Sequence, residues 1–89
     1  MKLYYRGTRV KMTTSYDGRE LEQEYMLCVH YETGYIFQII CISGYYAGNL
    51  AGYIKDENIE GHNAVSEAHL IKELKRNISF KEDSLQIIE

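Results

Sequence analysis

Residues 19–31 read RELEQEYMLCVHY, and this stretch decides the fold. Leu21, Gln23, Tyr25, Leu27, Val29 and Tyr31 fall on one side of an extended chain, and Glu20, Glu22, Glu24, Met26, Cys28 and His30 on the other. A period of two is the signature of a strand. The second side begins charged and ends apolar, so the strand is expected to run from solvent into the core. Just before it, Tyr16-Asp17-Gly18-Arg19 is a hairpin signal, because Asp-Gly readily supplies the positive φ of a tight turn. Residues 3–12 are the expected partner, with Leu3, Tyr5, Val10 and Met12 as its buried face and Gly7 as a break or bulge.

Downstream, Glu32-Thr33-Gly34 reads as a second turn, followed by Tyr35 to Ile42, YIFQIICI. This run is apolar on both sides except at Gln38, as expected of a central strand covered on both faces. Ser43-Gly44 ends it, Leu50 to Ile54 reads as a short strand, and Asp56 to His62 as a polar loop. Ala64, Ala68, Ile71, Leu74 and Ile78 are spaced by three or four and predict a helix over about 64–77. Asn63 or Ser66 can cap it, Lys72, Lys75 and Arg76 suit its end, and Asn77 is a stop. Ser84 to Ile88 offers a short C-terminal strand. The expected fold class is α+β, with an antiparallel sheet of four to six strands and one helix packed on a face. Residues 1–89 are expected to form a single domain, since 89 residues leave no room for a second core.

Hydrophobic residues at 45% supply enough apolar surface to offset the cost of ordering the chain, which argues against disorder. Nine tyrosines against two phenylalanines and no tryptophan are the strongest bias, and tyrosine suits sheet surfaces and interfaces alike. The net charge of −3 is unevenly placed. Residues 1–19 carry five basic side chains against Asp17 alone, about +4, and the remainder carries five basic against twelve acidic, about −7. An acidic body speaks against nucleic acid and for a basic protein partner. Gly34 to Ile54 holds no charged residue and repeats glycine at 44, 48 and 52, the spacing of packed membrane helices. Its polar residues, four glycines and β-branched cluster argue for strand instead, so no membrane partner is expected. The start of the chain lacks an apolar signal segment, and the two cysteines need no disulfide, so a cytoplasmic location with reduced thiols is expected.

Candidate chemistry is sparse. Cys28, His30, Cys41, His62 and His69 are the thiol and imidazole ligands, but no C-x-x-C or H-x-x-x-H spacing joins them. Cys28 and His30 share a strand face that Cys41 could approach. A cysteine nucleophile would need a thiolate beside a base, and both thiols lie in apolar runs. Glu20, Glu22 and Glu24 read as the exposed side of a strand. Phosphate-binding loops of the GxxxxGK[ST] and GxGxxG types are absent. The reading is a protein that is not an enzyme, with no metal and no cofactor. Tyr45, Tyr46, Asn49 and Tyr53, followed by Asp56 and Glu57, are the expected partner-binding surface, since tyrosines beside carboxylates suit a basic partner. Open sheet edges could also pair two copies into a homodimer.

The order of features from Asp17-Gly18 onward resembles a family of small bacterial immunity proteins encoded beside polymorphic, Rhs-type or contact-dependent toxins. The residues that carry the resemblance are Gly34-Tyr35 opening an apolar strand, Ser43-Gly44-Tyr45-Tyr46-Ala47-Gly48, Val65-Ser66-Glu67, Leu70-Ile71-Lys72 and Gln86-Ile87-Ile88. The chain departs from the family in having no tryptophan along the helix and no proline after it. The resemblance implies binding to one cognate toxin, a cytoplasmic location and no turnover. Two alternatives share parts of this physics: a phage- or mobile-element-encoded antagonist of a host defence enzyme, and a small-molecule binding module with a tyrosine-lined pocket.

Overall fold

The computed structural model describes residues 2–59, 61 and 63–89, so Glu60 and the candidate ligand His62 lie outside the described residues. Seven strands and one helix follow in the order β1 (Leu3–Tyr4), β2 (Arg9–Tyr16), β3 (Arg19–Val29), β4 (Tyr35–Cys41), β5 (Leu50–Lys55), β6 (Val65–Ser66), α1 (Glu67–Asn77) and β7 (Gln86–Ile88). Five strands form one sheet in the order β5-β4-β3-β2-β7, and β1 pairs separately with β6. Every pairing is antiparallel. The α+β class, the C-terminal strand and the strand count for the main sheet are as expected from the sequence.

The Asp17-Gly18 hairpin forms with both residues at positive φ, 51° and 74°. It sets the β2–β3 register, which pairs Val10 with Tyr25 and Met12 with Gln23. Alternation then sends Val10, Met12, Tyr25, Leu27, Phe37, Ile39 and Cys41 to one buried face. Leu70 and Leu74 of α1 and Val65 of β6 close over that face. In the first strand region Tyr4 is buried and Tyr5 is 49% exposed, the reverse of the expected pattern. The reason is that β1 pairs with β6 rather than continuing β2, so its phase is set by Val65.

Two further expectations need correction. β4 lies second from the sheet edge, and only one of its faces is fully buried. Phe37, Ile39 and Cys41 are buried, whereas Gln38 and Ile40 are half-buried on the opposite face beside Cys28 and Met26. A register shift at Tyr35/Phe37 explains part of the excess, because it lets Ile36 also pack against the core. The helix begins at Glu67 rather than 64, because Val65 and Ser66 are held extended by Tyr4 and Leu3. Ser66 caps it by accepting from the His69 N–H, and Asn77 is its last residue. The buried helix positions are Leu70, Glu73 and Leu74, while Ala68 is exposed. The inward stripe is therefore rotated from the one counted from Ala64.

Beyond lying on the face, α1 closes the β5 edge of the sheet. Tyr53 and Lys55 point backbone groups away from β4, and side chains of the helix meet them. The Lys55 N–H donates to Glu73 Oε1 (2.7 Å), and the Tyr53 carbonyl accepts from Asn77 Nδ2 (2.9 Å) and Arg76 (3.1 Å). His69 Nε2 lies 2.9 Å from the Lys55 carbonyl. Glu73 is 2% exposed and also accepts from Arg76 Nε at 2.9 Å. Burial alone would raise its carboxyl, but the Arg76 guanidinium and the Lys55 N–H hold it below the usual carboxylate range. The fit is close enough that a Cβ on Gly52 would stand 2.1 Å from Asn77 Oδ1. Asn77 cannot give way, since its amide is tied to both Tyr53 and Glu73 carbonyls.

Two outcomes follow from this joint. Gly52→Ala should cost about 1–3 kcal/mol in chemical denaturation through overpacking. Glu73→Gln should cost about 2 kcal/mol at neutral pH, given that Arg76 is partly solvated. Because the folded Glu73 is more acidic than the unfolded one, its contribution is present above the unfolded pKa and lost as pH falls through the folded value. The gap between parent and Glu73→Gln should therefore narrow in acid, and a gap that widens would contradict the assignment.

Candidate functional site

Exposed aromatic side chains gather at the two ends of the β4–β5 hairpin. At the first end, residues 44–46 form a single 3₁₀ turn, and the loop curls back over Cys41. The Gly48 N–H donates to the Cys41 carbonyl (2.6 Å), and the Cys41 N–H donates to the Asn49 carbonyl (2.9 Å). Gly44 and Gly48 supply the positive φ this path demands, 66° and 94°. The turn leaves Tyr45 95% exposed, while Tyr46 is half-buried and packs against the core. Their rings meet edge to face at 5.3 Å. Asn49 is exposed beside them.

At the second end, Tyr53 stacks on His30 (4.6 Å) and Tyr35 (5.4 Å), on the face opposite the core. His30 Nε2 is buried and makes no hydrogen bond, although Glu32 Oε2 stands 3.4 Å away. Asp56 borders an open hollow of about 640 Å³ together with Tyr5, Arg6, His30, Tyr31 and Tyr35. Its carboxylate accepts from the Asn58 N–H at 2.8 Å. Glu57 turns inward instead, accepting from the Ser66 N–H (2.6 Å) and Ser66 Oγ (3.0 Å), and so ties the polar loop to the start of the helix.

The six residues expected to form one surface are thus divided. Tyr45, Tyr46 and Asn49 lie together, Tyr53 and Asp56 belong to the other end, and Glu57 is occupied internally. Along β5, Tyr53 stands about 13 Å from Asn49 and Asp56 about 23 Å, at the rise of a strand. Sequence reasoning missed Tyr5, Arg6, His30, Tyr31 and Tyr35 as a cluster. Tyr31 and Tyr35 flanking the Glu32–Gly34 turn were the available signal, since a hairpin brings such positions together.

Between the first end and the helix lies a recess of about 370 Å³. Its floor is the part of the sheet face that α1 leaves uncovered after Asn77: Gln23, Tyr25 and Cys41. Tyr46 and Asn49 form one wall and Ile78 the other. The Cys41 thiol donates to Gln23 Oε1 (3.0 Å). Burial, with a smaller effect of Cys41, pushes the Tyr25 phenol up to about 12, so it stays protonated at physiological pH.

The thiols do not converge. Cys28 pairs in register with Gln38 and Cys41 with Tyr25, so they face opposite sides of β3 and β4. Cys41 therefore does not approach Cys28 and His30. Among the described residues no three metal-ligating side chains cluster. Glu22 and Glu24 pair with Lys11 and Arg9 of the neighbouring strand β2, and Glu20 with Lys81 in the segment after the helix. Residues 34–54 form strands and turns, and among the described residues no helix is long and apolar enough to cross a membrane. No family model, curated protein or solved structure matches the chain.

Burial pushes the Cys28 thiol up, away from the thiolate that reacts. Cys28 for this reason, and Cys41 because it is 3% exposed, should label at neutral pH far more slowly than a free thiol, and become fast on unfolding. Rapid labelling of one thiol in the folded protein would indicate an activated nucleophile.

Proposed function

We propose that this protein acts by binding another protein without catalysis, as an immunity or inhibitor protein that neutralises a cognate toxin by covering its working surface in the cytoplasm. The observation that carries the reading is Tyr45, 95% exposed and set against a half-buried Tyr46. An aromatic held out on a glycine-built turn offers a large contact area with only two side-chain rotors to order on docking, which is the character of an interface anchor. The surplus negative charge would steer a basic partner.

The test is expression of the chain with the product of its neighbouring gene, followed by affinity measurement on the purified complex. Tyr45→Ala should weaken binding by about 2 kcal/mol, roughly thirtyfold in Kd, with thermal stability unchanged. Tyr46 is unsuited to the same test because it packs against the core. A complex whose affinity is untouched by Tyr45→Ala would place the contact elsewhere, and the Tyr5–Tyr31–Tyr35 end would be the next surface to mutate. Absence of any complex or growth rescue with a toxic neighbour would remove the immunity reading.

A further inference from the structure

We propose that the recess beyond the helix C-terminus is a binding site for a small neutral molecule carrying a carbonyl or carboxamide on a compact apolar ring. The size is suitable, since about 370 Å³ falls within the range of ligand pockets. The chemistry of the lining is selective. About a quarter of the chain is charged, 26%, yet among the described residues no charged side chain lines this recess. Binding an anion or a cation here would desolvate it without an opposite charge in the lining, which disfavours both.

The polar groups on the floor point to a hydrogen-bond acceptor on the ligand. Tyr25 is 7% exposed, and its phenol makes no hydrogen bond among the described residues. The phenol oxygen is not among the buried unpartnered side-chain atoms, so it reaches water, and in the recess that Tyr25 lines a ligand acceptor can replace that water. Gln23, two residues earlier on the same strand face, has its amide oxygen engaged by the Cys41 thiol at 3.0 Å. That bond leaves the Gln23 –NH₂ as the free end. Two donors on one floor, with the phenol held protonated, match a carbonyl oxygen. Asn49 at the exposed rim adds an amide able to accept from a ligand N–H. Ala51 and Ile78 provide the apolar sides for a ring.

The site is separate from the contact proposed for Tyr45, and its failure would leave that reading standing. The test uses benzamide and benzoate, which share shape and about nine non-hydrogen atoms, titrated into the ¹⁵N-labelled protein while amide resonances are followed. For a probe this small a Kd on the order of 1 mM is expected. Benzamide should saturably shift the Gln23 side-chain amide and the backbone amides of Cys41 and Asn49. Benzoate should bind at least tenfold more weakly. Tyr25→Phe removes one oxygen and keeps the ring, and it should weaken benzamide about tenfold while leaving the fold intact. If benzamide gives no saturable shift up to about ten times that expected Kd, the proposal is overturned. Equal binding of benzoate, an unchanged affinity in Tyr25→Phe, or shifts confined to the Tyr31–Tyr35 end would each overturn it as well. Should Tyr25→Phe fail to fold, Gln23→Glu supplies the second variant: a negative charge in the same volume should abolish benzamide binding, and unchanged binding would again refute the site.

Discussion

A sheet edge carries unpaired backbone groups that will accept any passing strand, and here a helix answers them. Glu73 takes the Lys55 N–H, Asn77 and Arg76 take the Tyr53 carbonyl, and His69 meets the Lys55 carbonyl. These side chains stand in for a sixth strand, which protects β5 from association with other chains. The cost is a carboxylate buried to 2% exposure, offset by a guanidinium and a backbone donor. The rest of the arrangement depends on this joint. It fixes the helix along β5, demands glycine at position 52, and stops the helix where Asn77 binds Tyr53. Where the helix stops, the sheet face opens into the recess, and the Gly44–Tyr46 turn stands at its rim.

The charge asymmetry of the chain also resolves within the fold. The basic first nineteen residues do not form an independent patch, because β2 lies directly against the acidic half of β3. Arg9 pairs with Glu24 at 3.2 Å and Lys11 with Glu22 at 2.7 Å, while Lys2 reaches Glu89. Such exposed pairs add little stability singly, but they favour the β2–β3 register over slipped alternatives. Much of the sequence's acidic character is therefore spent internally, and the aromatic groups rather than the charges distinguish one surface from another.

Much of the fold was legible in local pattern. The alternation from Leu21 to Val29, the Asp17-Gly18 turn, the strand after Gly34 and the short strand at Leu50 all report the immediate neighbourhood of each residue. What could not be read depended on pairing across the chain. Tyr4 rather than Tyr5 is buried because Val65 is its register partner, and the helix starts late because Ser66 is held by Leu3. Nothing local marks Glu73 as a buried residue, since the sheet edge that meets it belongs to another element. For the candidate surface, Tyr45, Tyr46 and Asn49 were found together because one short turn carries them. Tyr53, Asp56 and Glu57 were grouped with them by proximity in sequence, and a strand of six residues carries that proximity to the far end of the sheet.

The central physical claim is that α1 replaces a missing strand at the β5 edge, and native-state hydrogen exchange at the Lys55 amide tests it most directly. Bonded to a buried carboxylate, that amide should be protected to a degree approaching the Leu27 amide of the central strand, and the protection should fall when Glu73 is replaced by alanine. Exchange of the Lys55 amide in the parent protein at the rate of an open, solvated sheet edge would contradict the account.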